Sequence, residues 1–139
     1  MKQFLHFTIV SLFLILLAGC SVQSVAPLTE ARQGVCQALN SLRSAATGLT
    51  EIDRETSVRQ LQEMRGNTAR LVEAARAANT VLQNQQITEM VNAFEEFSRI
   101  VDGLNPDQRV GDTAVGLQAS ARQVTSALDQ AHQTLQCAQ

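Results

Sequence analysis

Hydrophobic side chains recur at spacings of three and four along the chain after residue 27, which is the pattern of helices that bury one face. The first such stripe runs from Leu28 to Leu49 and the second from Leu61 to Leu82. The third runs from Ile87 to Leu104, and the fourth and most regular one runs from Val110 to Leu135. No segment shows the strict alternation of a strand, so the pattern predicts an all-α fold.

Residues that start and stop helices predict where these segments end. Gly48 lies near the end of the first stripe, and Asp53 is a suitable N-cap for the second. The stripe loses its phase across Gln83–Gln86, which indicates a turn. Asn105-Pro106 provides a cap and a first helical residue for the fourth helix, with Asp112 as the alternative cap.

Four helical segments with short connections favour an antiparallel four-helix bundle over residues 28–139, with a three-helix bundle as the alternative. The boundary around Gly66 stays open. The second stripe crosses this glycine without losing phase, which favours one helix, whereas the cysteine positions considered below favour a reversal there. The stripes are rich in alanine, which permits close helix packing but buries less apolar area than leucine does.

Charged residues at i,i+4 predict weak ion pairs along the helix surfaces. The expected pairs are Glu55 with Arg59, Arg59 with Glu63, and Glu95 with Arg99. Each pair is expected to contribute only about 0.2 to 0.5 kcal/mol.

The N-terminal segment has a different composition from the rest of the chain. A positive start at Lys2 precedes an apolar run from Phe4 to Leu17, too short for a permanent span but of the length of a secretory signal. The run ends in Leu17-Ala18-Gly19-Cys20, and it resembles the signal peptide of bacterial lipoproteins, whose lipobox it matches at all four positions.

This resemblance implies a division of the chain and a destination. Residues 1–19 would be removed as a signal peptide, Cys20 would receive a diacylglycerol, and residues 20–27 would form an extended tether to the bundle. In this class of proteins an aspartate directly after the lipidated cysteine favours retention in the inner membrane, and this chain has Ser21 there. The resemblance therefore implies an outer-membrane lipoprotein. The periplasmic face of that membrane is favoured over the cell surface. An uncleaved anchor or an ordinary secretory signal is the alternative.

Cys36 and Cys137 remain once Cys20 is assigned to lipid, and export to an oxidising compartment favours a disulfide between them. Free thiols and an intermolecular bridge are the alternatives. Adding up helical rise leaves the two sulfurs about 38 Å apart along the bundle axis if the chain reverses at Gln83–Gln86. A reversal at Gly66 reduces that gap to about 10 Å, so the sequence leaves the closure of this loop open.

Composition excludes several functions. Beyond Lys2 the chain has no lysine, which rules out Schiff-base chemistry and the attachment to peptidoglycan through a C-terminal lysine used by the murein lipoprotein. Net negative charge and the lack of Trp and Tyr argue against nucleic acid binding. His132 is the one histidine outside the leader and is expected to be a solvated residue on a helix flank. No metal, cofactor or catalytic residues are predicted.

The sequence therefore predicts a non-enzymatic, lipid-anchored bundle that binds an unidentified envelope protein or has a structural role, with its oligomeric state open. The exposed faces that could make such contacts are rich in glutamine. These glutamines are Gln33, Gln37, Gln60, Gln118, Gln123 and Gln133. The alternative function is a carrier that holds a small apolar ligand or cofactor near Met90, Phe94 and Phe97.

Overall fold

The computed structural model describes residues 26–138, and these form an all-α structure of four helices packed antiparallel. The predicted four-helix bundle is therefore confirmed. A 3-10 turn at Gly111–Thr113 precedes the last helix. The helices are α1 (Ala26–Thr50), α2 (Val58–Leu82), α3 (Gln85–Asp102) and α4 (Ala114–Thr134).

The bundle lies in the compact unit Ala31–Gln139. The predicted signal peptide, Cys20 and the tether up to residue 25 lie outside the described residues. Helix α1 begins at Ala26, so Pro27 lies in its first turn instead of closing the tether. Proline is tolerated there because the N–H it lacks would have no acceptor within the helix.

The predicted cap of the second helix is wrong. Helix α2 begins at Val58, and the Oγ of Ser57 accepts a 3.2 Å hydrogen bond from the backbone N–H of Gln60. Asp53 instead accepts bonds from the N–H of Glu55 and the hydroxyl of Thr56, inside the connection before the helix. An aspartate side chain can accept hydrogen bonds from backbone N–H groups in a turn or at a helix N-terminus. The residue type at position 53 therefore could not decide between a turn and a cap.

The turn predicted at Gln83–Gln86 is confirmed and is shorter than predicted. Helix α2 ends at Leu82, Gln83 adopts a left-handed conformation, and the side chain of Asn84 caps α3 by accepting from the N–H of Ile87. Gly66 lies within α2, so the chain does not reverse there.

The fourth helix begins later than predicted. Asn105 and Pro106 lie in a turn, in which the Asn105 side chain accepts from the N–H of Asp107. Asp112 lies within the 3-10 turn and is not the N-cap of α4 either. Gly111 has a positive φ of 53°, a conformation that favours glycine and separates the long connection from the helical turns that follow.

The core follows the predicted stripes closely in α3 and α4. Every predicted member of the fourth stripe is buried, and in the third only Leu104 is partly exposed. In α1 the buried side includes Leu39 and Ala46, whereas Leu28 is 48% exposed. Several members of the second stripe are half-buried against the core. These are Met64, Leu71, Ala78 and Leu82.

The predicted i,i+4 ion pairs are replaced by pairs that join different elements. Glu55 pairs with Arg109, Arg59 with Asp107, and Glu95 with Arg76. The chain therefore uses these charges to connect neighbouring elements, which local spacing could not reveal.

Cys36 and Cys137 lie at disulfide distance, with their Cα atoms 5.3 Å apart and 101 residues between them in sequence. Both connections at the far end of the bundle help to close the path. The carbonyl of Ile52 accepts from the side chain of Gln118 on α4, whereas the N–H of Val58 donates to Gln108, before α4 begins. Residues 51–57 therefore carry the chain onward along the axis before α2 descends. Asp102 pairs with Arg65 and the N–H of Val110 donates to Thr56, so residues 103–113 carry the chain onward again before α4 descends.

Candidate interaction surfaces

The connections 51–57 and 103–113 lie side by side at one end of the bundle, and we call them the loop pair. Backbone hydrogen bonds run from Val58 N to Gln108 O (3.0 Å) and from Val110 N to Thr56 O (2.9 Å). An antiparallel bridge also joins Ser57 to Arg109. These bonds satisfy backbone groups that have no helical partner, and they make one ordered surface of two connections.

Charged side chains of both signs surround this surface. Arg109 pairs with Glu55 at 3.3 Å and also donates to the carbonyl of Glu55. Arg59 pairs with Asp107 at 2.8 Å. Two further bridges at this end are Arg54–Asp112 and Arg65–Asp102. Most of these groups are well exposed, so each bridge contributes about 0 to 1 kcal/mol to stability and remains accessible to a partner.

Asp53 lies in the loop pair and is fixed by local bonds. The hydroxyl of Thr56 donates to its carboxylate at 2.8 Å, and the N–H of Glu55 donates at 3.0 Å. Bonds of this kind stabilise the charged form, so they hold the pKa of Asp53 below its ordinary value, the Thr56 hydroxyl having the largest effect.

The opposite end of the bundle, which we call the disulfide end, joins α1 to the end of the chain. The guanidinium of Arg32 donates two hydrogen bonds to the carbonyl of Leu135, at 3.1 and 2.6 Å, beside the Cys36–Cys137 pair. The amide of Asn40 donates to the carbonyl of Ala138 at 3.3 Å. The segment after α4 is thus held by polar contacts as well as by the two cysteines.

His132 is the main residue of this end that sequence reasoning misplaced. It was expected to be solvated, yet it is only 4% exposed, and its Nε2 lies 2.8 Å from the Oδ1 of Asn40. Its position at the edge of the fourth stripe could have indicated burial between α4 and α1, but the neighbouring helix was not known. Buried polar groups need a partner, and Asn40 provides it.

The predicted glutamine faces are exposed at five of their six positions. Gln118 is the exception, because it is half-buried and its Nε2 donates to the carbonyl of Ile52 at 2.6 Å. It therefore supports the fold at the loop pair instead of forming part of an open polar face.

The residues predicted for a carrier site lie in the core. Met90 and Phe97 are fully buried, Phe94 nearly so, and the two rings pack with their centroids 6.3 Å apart. A ligand could reach this region only if the helices moved apart. Two surface clefts are found elsewhere. One of about 240 Å³ lies between α2 and α3, with Arg76 and Glu95 in its lining, and one of about 160 Å³ lies beside Gly48 and Met64.

Among residues 26–138, no group of three His, Cys, Asp or Glu side chains is placed to hold a metal ion. Over the same residues, no helix has both the length and the apolar character needed to cross a bilayer.

No family model, curated protein or solved structure matched the chain when it was compared with known proteins.

The loop pair was missed as a surface, although its sequence carried a signal. Both connections contain arginine and aspartate, within Glu51–Arg59 and Asp102–Asp112. A high density of opposite charges in two loops is compatible with contact between them, but helical periodicity gives no information about which loops meet.

Proposed function

We propose that this chain is a non-enzymatic, lipid-anchored protein of the bacterial envelope, held at the outer membrane through Cys20, whose loop pair binds a protein partner in the periplasm. The observation that carries the anchoring is the lipobox Leu17-Ala18-Gly19-Cys20 at the end of a signal-like apolar run. The disulfide distance between Cys36 and Cys137 supports export, because such bonds persist outside the cytoplasm.

The loop pair is the proposed contact surface for two reasons. Its backbone is tied by hydrogen bonds between the two connections, so little ordering would be needed on binding. Exposed groups of both signs, such as Arg54, Asp107 and Arg109, suit a polar protein surface with complementary charges. The loop pair also lies at the end of the bundle opposite Ala31, where the chain enters the bundle from the leader.

The anchoring is tested by changing Cys20 to Ser in the full chain. The wild type should float with membranes in a density gradient and carry the mass of attached lipid. The Cys20→Ser variant should carry no lipid, and the part of it from which the leader has been cleaved should not float. Membrane flotation of a variant from which the leader has been cleaved would contradict the lipid anchor.

The partner surface is tested with a photoreactive amino acid placed at Arg54 and, as the control, at Gln133, which is exposed at the disulfide end. Irradiation of the native envelope should give a discrete cross-linked protein from position 54 and none from position 133. Purified partner should then bind wild type more tightly than Arg109→Glu, with an affinity that falls as salt rises. Identical products from both positions would contradict the proposed surface.

A further inference from the structure

The C-terminal part of α2 exposes an uncharged face at one end of the bundle. Ala74, Ala77 and Val81 are exposed, and their spacing of three and four places them along one helix face. Val81 is 49% exposed, which makes it one of the larger apolar side chains in contact with solvent. We call Ala74, Ala77 and Val81 the α2 tip.

The surroundings of the α2 tip are uncharged on one side and carry charges of both signs on the other. Residues 77–88, which include the turn into α3, contain no charged side chain. Arg70 lies one turn before Ala74, Glu73 lies one turn before Ala77, and both are exposed. An apolar tip that continues into an uncharged turn can approach a bilayer surface without removing a charge from water.

The register of α1 and α2 places this tip at the end where the chain enters the bundle. A Cβ added to Gly48 would lie 3.7 Å from the Cε of Met64, so these two residues are neighbours on antiparallel helices. Ala31 lies 17 residues before Gly48, and Val81 lies 17 residues after Met64. Both steps are helical and span about 26 Å, so Ala31 and Val81 lie at the same level along the axis.

The length of chain between Cys20 and Ala31 limits how far this end can move from a membrane. Residues 26–31 are helical and rise about 8 Å, and the six steps from Cys20 to Ala26 span at most about 21 Å. If Cys20 carries lipid, as in the proposed function on which this inference rests, Ala31 stays within about 30 Å of the bilayer surface.

We propose that the α2 tip docks on the lipid surface to which Cys20 is anchored, with Val81 at the headgroup level. The tether keeps the effective concentration of the surface high, so a contact of small area is sufficient. Docking at this end directs the loop pair away from the membrane, where a partner can reach it. Val115, which is 73% exposed at the start of α4, lies at the opposite end and stays in water.

The absence of tryptophan from the chain allows a direct test. The full-length lipidated Val81→Trp and Val115→Trp variants are reconstituted in vesicles of phosphatidylethanolamine and phosphatidylglycerol with brominated acyl chains. Val81→Trp should lose most of its fluorescence relative to unbrominated vesicles and emit at shorter wavelength, whereas Val115→Trp should show neither change. Ala77→Trp, on the same face, is the second reporter if Val81→Trp disturbs the fold.

Flotation of the same samples separates this inference from the proposed function. Variants that do not float have no lipid anchor, and the proposed function fails with the inference. Variants that float without preferential quenching at the α2 tip retain the anchor but overturn the docking. A change of Ala77 to Glu in the Val81→Trp background should reduce the quenching, because it places a charge on the docking face, and unchanged quenching would overturn docking through this face.

A second copy of the chain could also cover the α2 tip. In that case Val81→Trp without the lipid anchor would show the same shift to shorter wavelength in the absence of vesicles, increasing with protein concentration. This result would overturn the lipid contact. An emission that is independent of protein concentration, together with quenching by brominated lipid, supports it.

Discussion

The disulfide end joins α1 to the segment after α4 through Cys36 and Cys137 and through two hydrogen bonds that Arg32 donates to the carbonyl of Leu135. The buried contact of His132 with Asn40 also joins α4 to α1 there. The loop pair joins two connections through backbone hydrogen bonds and bridges between exposed charges. At the disulfide end a few contacts provide the stabilisation, and removing any one of them should lower the free energy of unfolding substantially. The loop pair distributes it over many contacts that water and salt weaken, and it leaves charged groups accessible.

The largest expected effect comes from the disulfide. Changing both Cys36 and Cys137 to Ser, or reducing the wild type, should lower the free energy of unfolding by about 2 to 5 kcal/mol, because the linkage restricts a long loop in the unfolded chain. Urea unfolding with and without reductant measures this. If the midpoint does not change on reduction, the disulfide end does not dominate the stability.

His132→Ala should lower the free energy of unfolding by about 1 to 3 kcal/mol, since it removes a buried ring and the partner of Asn40. Asn40→Ala leaves the Nε2 of His132 without its partner and should also be destabilising. In urea unfolding, the double variant should lose less than the sum of the two single variants. Strict additivity would show that the contact contributes nothing.

Two glycines give a matched comparison of the ends. Gly34 lies within α1 with open space where a Cβ would be, so Gly34→Ala should raise the free energy of unfolding by about 0.5 to 1 kcal/mol. Gly111 has positive φ, so Gly111→Ala should lower it by about 1 to 2 kcal/mol. Thermal unfolding measures both changes. If both substitutions changed the free energy of unfolding in the same direction, the conformation assigned to Gly111 would be contradicted.

Arg109→Ala removes a charged pair and a bond to a carbonyl at the loop pair and should lower the free energy of unfolding by less than about 1 kcal/mol. The difference from wild type should shrink further as salt is raised, because exposed charges are screened. A loss as large as that of the cysteine variant would remove the distinction between the two ends.

The smallest effect concerns the pH dependence of the loop pair. The pKa of Asp53 is lowered in the folded state, so the stability it contributes is present above its unfolded pKa and is lost as pH falls through the folded value. The unfolded value is about 3.9, so the loss falls below about pH 4. Asp53→Asn should differ from wild type near neutral pH, and this difference should diminish in acid. Urea titrations at several pH values measure it, and a constant difference would contradict the assignment.

The sequence predicted the helices well because burial of one face has a period that can be read locally. The turn after Leu82 follows from a break in phase, and the helical stripe of α4 was correct at every member. The starts of α2 and α4 were misplaced, because Asp53 and Asn105 are equally suited to turns and caps. At the surface, the burial of His132 and the pairing of Arg59 with Asp107 depended on neighbours distant in sequence.

The sequence by itself determined the all-α class, favoured four helices over three, and indicated the candidate disulfide, since periodicity and cysteine count need no knowledge of neighbours. Only the tertiary structure decided that both connections of the loop pair carry the chain along the axis, which brings Cys36 and Cys137 together. It also decided that two charged connections form one surface and that Val81 lies level with Ala31. These relations depend on how helices of unequal length pack side by side, and the energy that fixes them comes from contacts between residues far apart in the chain.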